Sequence, residues 1–236
     1  MNVSKKRFLA RHLRILQKIK KDRVHPLFYH IHRKYGISKK TLFYMKEYGP
    51  RRNVPATILK ESLKMLLLAS ILSSLGGFSL ETIRPLLLSV MPIVILLPAL
   101  SDMIGDYGII FSSKLATMLH EGRVGKKWWN NGDLRKLFAQ ILIISFFTAT
   151  ASSVAALGIS WASGYGFTPL LAAKIMAISL LDTILLVLLM FLVAVVAGIH
   201  YFRKKEDPNN FLIPITTSVA DFGNMVLLSL LVIIFF

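Results

Sequence analysis

Apolar residues gather into five long stretches set apart by polar or basic connections, and stretches of roughly 20 residues are what crossing a hydrocarbon core requires. Ala56 to Gly77 predicts a first span, with Met65 to Leu75 as its apolar centre. A second starts near Ile83 and carries Pro85, Pro92 and Pro98, then Ser101, Asp102, Gly105, Asp106 and Gly108. Repeated Pro and Gly at membrane depth are tolerated where the freed backbone groups find protein or water, so this span predicts a broken helix. Leu137 to Trp161 predicts a third span, rich in Ala, Ser and Thr from Thr148 to Ala156 and suited to close packing. The fourth, Leu170 to Ile199, is about 30 residues long and needs tilt or a projecting end. The fifth follows the polar break Asp207-Pro208-Asn209-Asn210 and ends in the apolar run Leu227 to Phe236. Gly76-Gly77 with Ser79 to Glu81 predicts a short turn after the first span, and Gly164 to Pro169 a loop after the third.

The first 55 residues read differently. Between Arg7 and Lys21, Phe8, Leu9, Leu13, Leu16 and Ile19 recur at helical spacing among Lys and Arg, which predicts a basic amphipathic helix able to lie on an anionic membrane surface. A second short helix is expected from Ser38, as N-cap, through Lys46, ending near Gly49-Pro50. No nucleic-acid motif accompanies the basic charge, so lipid contact or a solvated cytosolic face is the expectation and nucleic acid is not. We therefore divide the chain into a basic cytosolic helical segment, residues 1–55, and a transmembrane domain, residues 56–236.

Composition sharpens this picture. The chain is 54% hydrophobic and 17% charged, with mean hydropathy +0.59, which places it with membrane proteins. Of 29 Lys and Arg against 12 acidic residues, 17 lie in residues 1–60. The connections 113–136 and 200–210 are basic too, whereas 78–82 and 162–168 hold no Lys or Arg. By the positive-inside rule the chain is a multi-pass protein of the cell membrane, N-terminus cytosolic and Phe236 outside. No apolar stretch near the start is followed by a small-residue cleavage site, so no removable signal peptide is expected. Cysteine is absent, which leaves oxygen or imidazole as the only ligands for a divalent metal. No internal repeat is evident, so two-fold symmetry would have to come from a second subunit.

Candidate chemistry resides in carboxylates within the spans. Asp221 lies inside the fifth span, where a carboxylate is costly unless it meets a cavity, a partner or an ion. The alternative is a protonated Asp bonded to a neighbouring helix. Thr216, Thr217, Ser218 and Asn224 surround it with neutral oxygens, although single hydroxyls often bond back to their own helix. Asp102 and Asp106 are four apart and share one helix face, so their like charges disfavour joint ionisation unless a divalent cation sits between them. Were the backbone unwound at Gly105 and Gly108, its carbonyls would add hard-oxygen ligands; the alternative is an Asp pair just past the hydrocarbon boundary. Asp182, beside Ser179 and Thr183, either lines the route or bonds to another helix. Glu61 and Lys64, three apart where the first span begins, read as an interfacial pair. His25, His30 and His32 lack the ordered set of ligands that zinc needs, and His120 and His200 sit at span ends. With no P-loop, G-x-S-x-G or H-E-x-x-H, an enzyme is not expected.

Two stretches carry a family resemblance. Asp207, Pro208 and Asn210, then Pro214, Thr217, Ser218 and Asp221, resemble the last-helix signature of the MgtE-type magnesium transporters and of solute carrier family 41. Pro98, Met103, Gly105 and Gly108 stand where the MgtE-type proteins have Pro followed by Met-Gly-Gly-Asn-Ala-Gly. Pro98-Ala99-Leu100 is similar to the opening of the solute-carrier motif, and Ser113-Lys114-Leu115-Ala116-Thr117 to their Ser-Arg-Leu-Ser-Thr. Asp106 replaces the usual Asn, and Asp102 a Gly. Over about residues 55–236 the resemblance implies an all-α integral membrane protein of five transmembrane helices and a homodimer whose cation route runs between the second and fifth spans. It implies divalent cation transport, most simply of Mg²⁺, with Asp221 and Asp106 as metal ligands. Asp102, Asp182, Thr217, Asn224, Gly105 and Gly108 complete the expected pathway. No resident cofactor is expected, Mg²⁺ being the cargo and a candidate structural ion. The expected partners are a second copy and membrane lipids, with anionic lipids at the N-terminal segment. The large acidic cytosolic sensor of bacterial members has no counterpart in the basic N-terminal residues.

Overall fold

The computed structural model describes residues 26–37, 42, 54–124, 128–204 and 207–236. The expected helices at 7–21 and 38–46, and His25, lie outside these residues, as do the side chains of Glu61 and Lys64. Among the described residues the fold is helical, with no strand. A short α1, Pro26–Tyr35, precedes α2, Val54–Thr82. Then come α3, Arg84–Ser89; α4, Met91–His120; α5, Gly132–Ala162; α6, Pro169–Arg203; and α7, Pro208–Phe235. Helices α2, α4, α5, α6 and α7 are each long and apolar enough to cross a membrane. At 1.5 Å per residue the 35 residues of α6 exceed a hydrocarbon core of about 30 Å, so this helix tilts or projects.

A predicted turn and an unpredicted helix mark where the fold departs from the sequence expectation. The turn predicted from Gly76 to Glu81 is instead helix, and α2 runs on to Thr82. Its polar residues are absorbed by the helix itself: Ser79 Oγ donates to the Gly76 carbonyl and Thr82 Oγ1 to the Ser79 carbonyl, both at 2.6 Å. The chain turns one residue later, at Ile83. α1 was not anticipated, because Pro26–Tyr35 mixes two His, two Tyr, Arg33 and Lys34 with few apolar residues.

The second apolar stretch is divided at Val90, which has extended φ and ψ of −121° and 77°. Pro92, in the first turn of α4, has no N–H to return to the Leu88 carbonyl, so α3 and α4 cannot merge into one ladder. Beyond Val90, α4 is helical through Gly105 and Gly108 to His120, so the carbonyls there belong to a helix and not to an unwound segment. Asn131 and Thr168 cap α5 and α6 by accepting the Leu134 and Leu171 N–H groups at 3.0 and 3.2 Å.

α7 lies between α2 on one side and the mutually packed α4, α5 and α6 on the other. α4 and α6 run one way and α5 and α7 the other, as short connections require. One apolar cluster, including Leu96, Leu100, Ile178, Leu186 and Leu228, fills the end near the α5–α6 connection. A second, including Phe111, Leu115, Leu137 and Leu212, fills the basic end. There Trp128 packs edge-on against both Trp129 and Phe191, the amphipathic aromatic arrangement of a membrane interface. At the opposite end Lys174, one turn inside α6, donates to the Phe235 carbonyl and sits 4.7 Å from the Phe236 ring centroid.

Candidate ion pathway

α7 positions the central carboxylate. Asp221 is partly buried, and Ser73 Oγ of α2 donates to its Oδ2 at 3.4 Å. Close approach of the two helices depends on Gly76: a Cβ there would lie 2.8 Å from the Met225 sulfur and 3.3 Å from the Phe222 Cα. One turn further on, Asn224 is fully buried and donates through Nδ2 to Ser101 Oγ on α4 at 2.5 Å, while its Oδ1 has no hydrogen-bond partner.

α4 meets α7 through small groups. The Ser112 and Thr216 hydroxyls are 3.2 Å apart. A Cβ added at Gly108 would come within 3.0 Å of Thr216 Cβ and would also press on the Met190 methyl of α6, so glycine sets the separation of three helices at this point. With Ser101 opposite Asn224 and Gly108 opposite Thr216, the antiparallel register puts Asp221 level with the segment between Asp102 and Asp106. Asp102 and Asp106 are both exposed. Asp106 is roughly 20 Å from either end of α4 at 1.5 Å per residue, so the pair lies at mid-helix and not at its end. Three carboxylates thus share one level of the bundle, two of them directed out of it.

The remaining expected residues divide. Thr217 Oγ1 donates back to the Ile213 carbonyl at 2.9 Å, and Ser218 Oγ to the Pro214 carbonyl at 2.6 Å, so each hydroxyl faces a ligand only as an acceptor. Gly105 has open space where a Cβ would stand. Asp182 is 0% exposed, and neither of its oxygens is hydrogen-bonded; Thr183 Oγ1 beside it is equally unpartnered. The bond from Asp182 to another helix is therefore not formed, and only its neighbour Ser179 reaches across, to the Ala149 carbonyl at 3.3 Å. Among the described residues of one chain, no three His, Asp or Glu side chains converge on a metal position.

Sequence reasoning gave Ser73 and Ser101 no part in the pathway. Serines recur along these spans, and only packing selects Ser73 over neighbours such as Ser70 or Ser74. Sequence reasoning also missed the union of α4 and α7 at the basic end. His120, the last residue of α4, and Asp207, the N-cap of α7, approach to 3.6 Å with both side chains buried. Asp207 Oδ1 accepts the Asn209 N–H at 3.2 Å, so one carboxylate caps α7 and faces the end of α4.

Residues 97–231 match the family model for MgtE, described as a divalent cation transporter. The chain belongs to this family. The match runs from α4 through α7 and takes in Asp102, Asp106, Asp182, Asp221 and Asn224, leaving α2 and Ser73 outside it. No curated protein and no solved structure matches the chain. As an MgtE-family member it is a multi-pass membrane protein of a transporter family, and its activity is divalent cation transport.

Proposed function

We propose that this MgtE-family protein carries Mg²⁺ along a carboxylate-lined route between two copies of the chain. One observation supports this most: Asp102 and Asp106 are exposed at mid-helix, level with Asp221. An Asp at the centre of a spanning helix costs about 2.5–3.5 kcal/mol on insertion scales. A lone bundle would present two such groups to lipid, whereas a second copy placed over this face would enclose six carboxylates around a polar seam. Mg²⁺ prefers octahedral oxygen coordination and gives up water reluctantly, so such a seam can hold it partly or fully hydrated. Asp221 and Asp106 are the proposed ligands, Asp102 deepens the cation well, and Asn224 and Thr217 supply neutral oxygens. We place residues 1–55 on the cytosolic side against lipid, Phe236 outside, and assign neither catalysis nor a resident cofactor.

The unbonded, fully buried Asp182 favours a second reading of the same route, a carrier coupled to H⁺ or Na⁺. Mg²⁺ flux into liposomes, measured with and without an imposed Na⁺ or proton gradient, separates the two. The expected result is saturable flux that Asp221→Ala abolishes in correctly inserted protein. Normal flux through that variant would overturn the assignment of Asp221. No flux of any divalent ion through folded wild-type protein would leave a scaffold or a carrier of another substrate.

A further inference from the structure

Away from the carboxylate face, one side of α6, with Ile215 of α7 beside it, forms an open lateral groove of about 540 Å³ lined by Leu192, Val193, Val196, Ala197, His200 and Tyr201. Its α6 wall is two adjacent rows at i, i+4 spacing, 192-196-200 and 193-197-201, which stack along one side of a helix. The groove runs about 12 Å at 1.5 Å per residue, close to the depth of one leaflet of hydrocarbon, roughly 15 Å. It grades in polarity along that length: apolar from Leu192 to Ala197, then His200 and Tyr201 at the basic end. Tyr201 is fixed there by stacking on Phe211, centroids 4.1 Å apart and planes within 9°. Lys204 Nζ stands 6.0 Å from the Tyr201 ring centroid. Arg203 and Lys204 are exposed, and neither makes an ion pair among the described residues. The nearest described carboxylate in sequence, Asp207, is turned inward against His120.

We infer that this groove binds one anionic phospholipid, its acyl chain along Leu192 to Ala197 and Ile215 and its phosphate headgroup against Arg203 and Lys204. The groove's own chemistry selects that occupant. A free phosphate leaves the apolar walls uncovered, and a zwitterionic lipid sets its own cation beside the exposed Arg203 and Lys204. A second copy is drawn to a different face, because Ile215 and Asp221 are six residues apart and so about 120° apart around α7. Val196, on the lip of the groove, is 63% exposed, which leaves it open to lipid from the side. The occupant touches α6 and α7 together, one turn from the point where Gly108, Met190 and Thr216 meet, so it braces α7 below the carboxylate level. The inference does not rest on the identity of the transported ion.

The test is photo-crosslinking in phosphatidylcholine vesicles doped with phosphatidylglycerol bearing a photoactivatable acyl chain, with a matched phosphatidylcholine probe, and mapping of labelled residues by mass spectrometry. The expected result is labelling of Val196, Ala197 and Ile215 by the phosphatidylglycerol probe, exceeding the phosphatidylcholine probe by about tenfold or more, as two nearby cations would give. Arg203→Gln with Lys204→Gln should bring the two probes level. Val196→Phe, which fills the groove without touching the charge, should exclude both. Equal labelling by the probes in wild-type protein, labelling indifferent to both variants, or labelling confined to residues 1–53 would overturn the inference. So would efficient disulfide cross-linking between copies through Val196→Cys, which would make a second chain the occupant. None of these readouts requires ion flux, so a failure here is distinct from a failure of the proposed transport route.

Discussion

Gly105 and Gly108 lie three residues apart on α4, yet the structure assigns them opposite responses to one added methyl. At Gly105 a Cβ meets nothing within 4 Å, so Gly105→Ala gains the lower chain entropy and better helix propensity of alanine, about 0.5–1 kcal/mol. At Gly108 the same gain is opposed by contact with Thr216 Cβ at 3.0 Å and its Oγ1 at 3.2 Å, and with the Met190 methyl. The Met190 terminus can swing aside. Thr216 cannot do so easily, since its β-carbon is fixed to α7 and its hydroxyl is held by Ser112 and by the Leu212 carbonyl. α7 must therefore move by a few tenths of an ångström, and overpacking of this kind costs about 1–3 kcal/mol. The two variants should differ by about 2 kcal/mol, roughly 4–8 °C in Tm for a domain of this size class. Thermal unfolding of wild-type, Gly105→Ala and Gly108→Ala protein in one detergent, followed by tryptophan fluorescence, measures the difference directly. A Gly108→Ala protein as stable as Gly105→Ala would refute the close contact of α4, α6 and α7. If Gly105→Ala leaves Tm unchanged or raised but lowers Mg²⁺ flux, the open space at Gly105 belongs to the transport route.

Other tests follow from single contacts. Ser73→Ala removes the hydroxyl donated to Asp221, a long bond, and should raise the half-saturating Mg²⁺ concentration roughly two- to fivefold with little change in Tm; unaltered saturation would show that Ser73 does not orient the carboxylate. Asn224→Ala and Ser101→Ala break the same interhelical bond, so a double-mutant cycle on Tm should return a coupling of about 0.6 kcal/mol, up to about 1.7. Strict additivity would mean that the bond is absent in the membrane. Asp207→Ala should destabilise by about 1 kcal/mol or more through loss of the α7 cap, and Asp207→Asn by less, because Asn caps as well as Asp. Equal losses would shift the weight from the cap to the pairing with His120.

The sequence by itself determined the class, the number of spans and the family. Five apolar stretches long enough to cross hydrocarbon can satisfy their backbone groups there only as helices, and the Pro98 to Gly108 and Asp207 to Asp221 motifs are local strings that need no coordinates to read. It also singled out Asp102, Asp106, Asp182 and Asp221, since a carboxylate in an apolar run stands out wherever the run folds. It could not assign them a setting. Asp182 and Asp221 look alike in one dimension, yet one is sealed in the bundle without a hydrogen bond and the other is partly open and held by Ser73. The Gly76 to Glu81 segment reads as a turn, because composition cannot show that its hydroxyls bond back to the helix or that Gly76 is needed against Met225. Which serine reaches which side chain, the break at Val90 before α4, and which face of α7 meets α2 were decided only by tertiary packing. Those contacts join residues 100 or more positions apart, as Ser101 to Asn224 and Ser73 to Asp221 do, and no local pattern fixes the rotation of one helix against another at that separation.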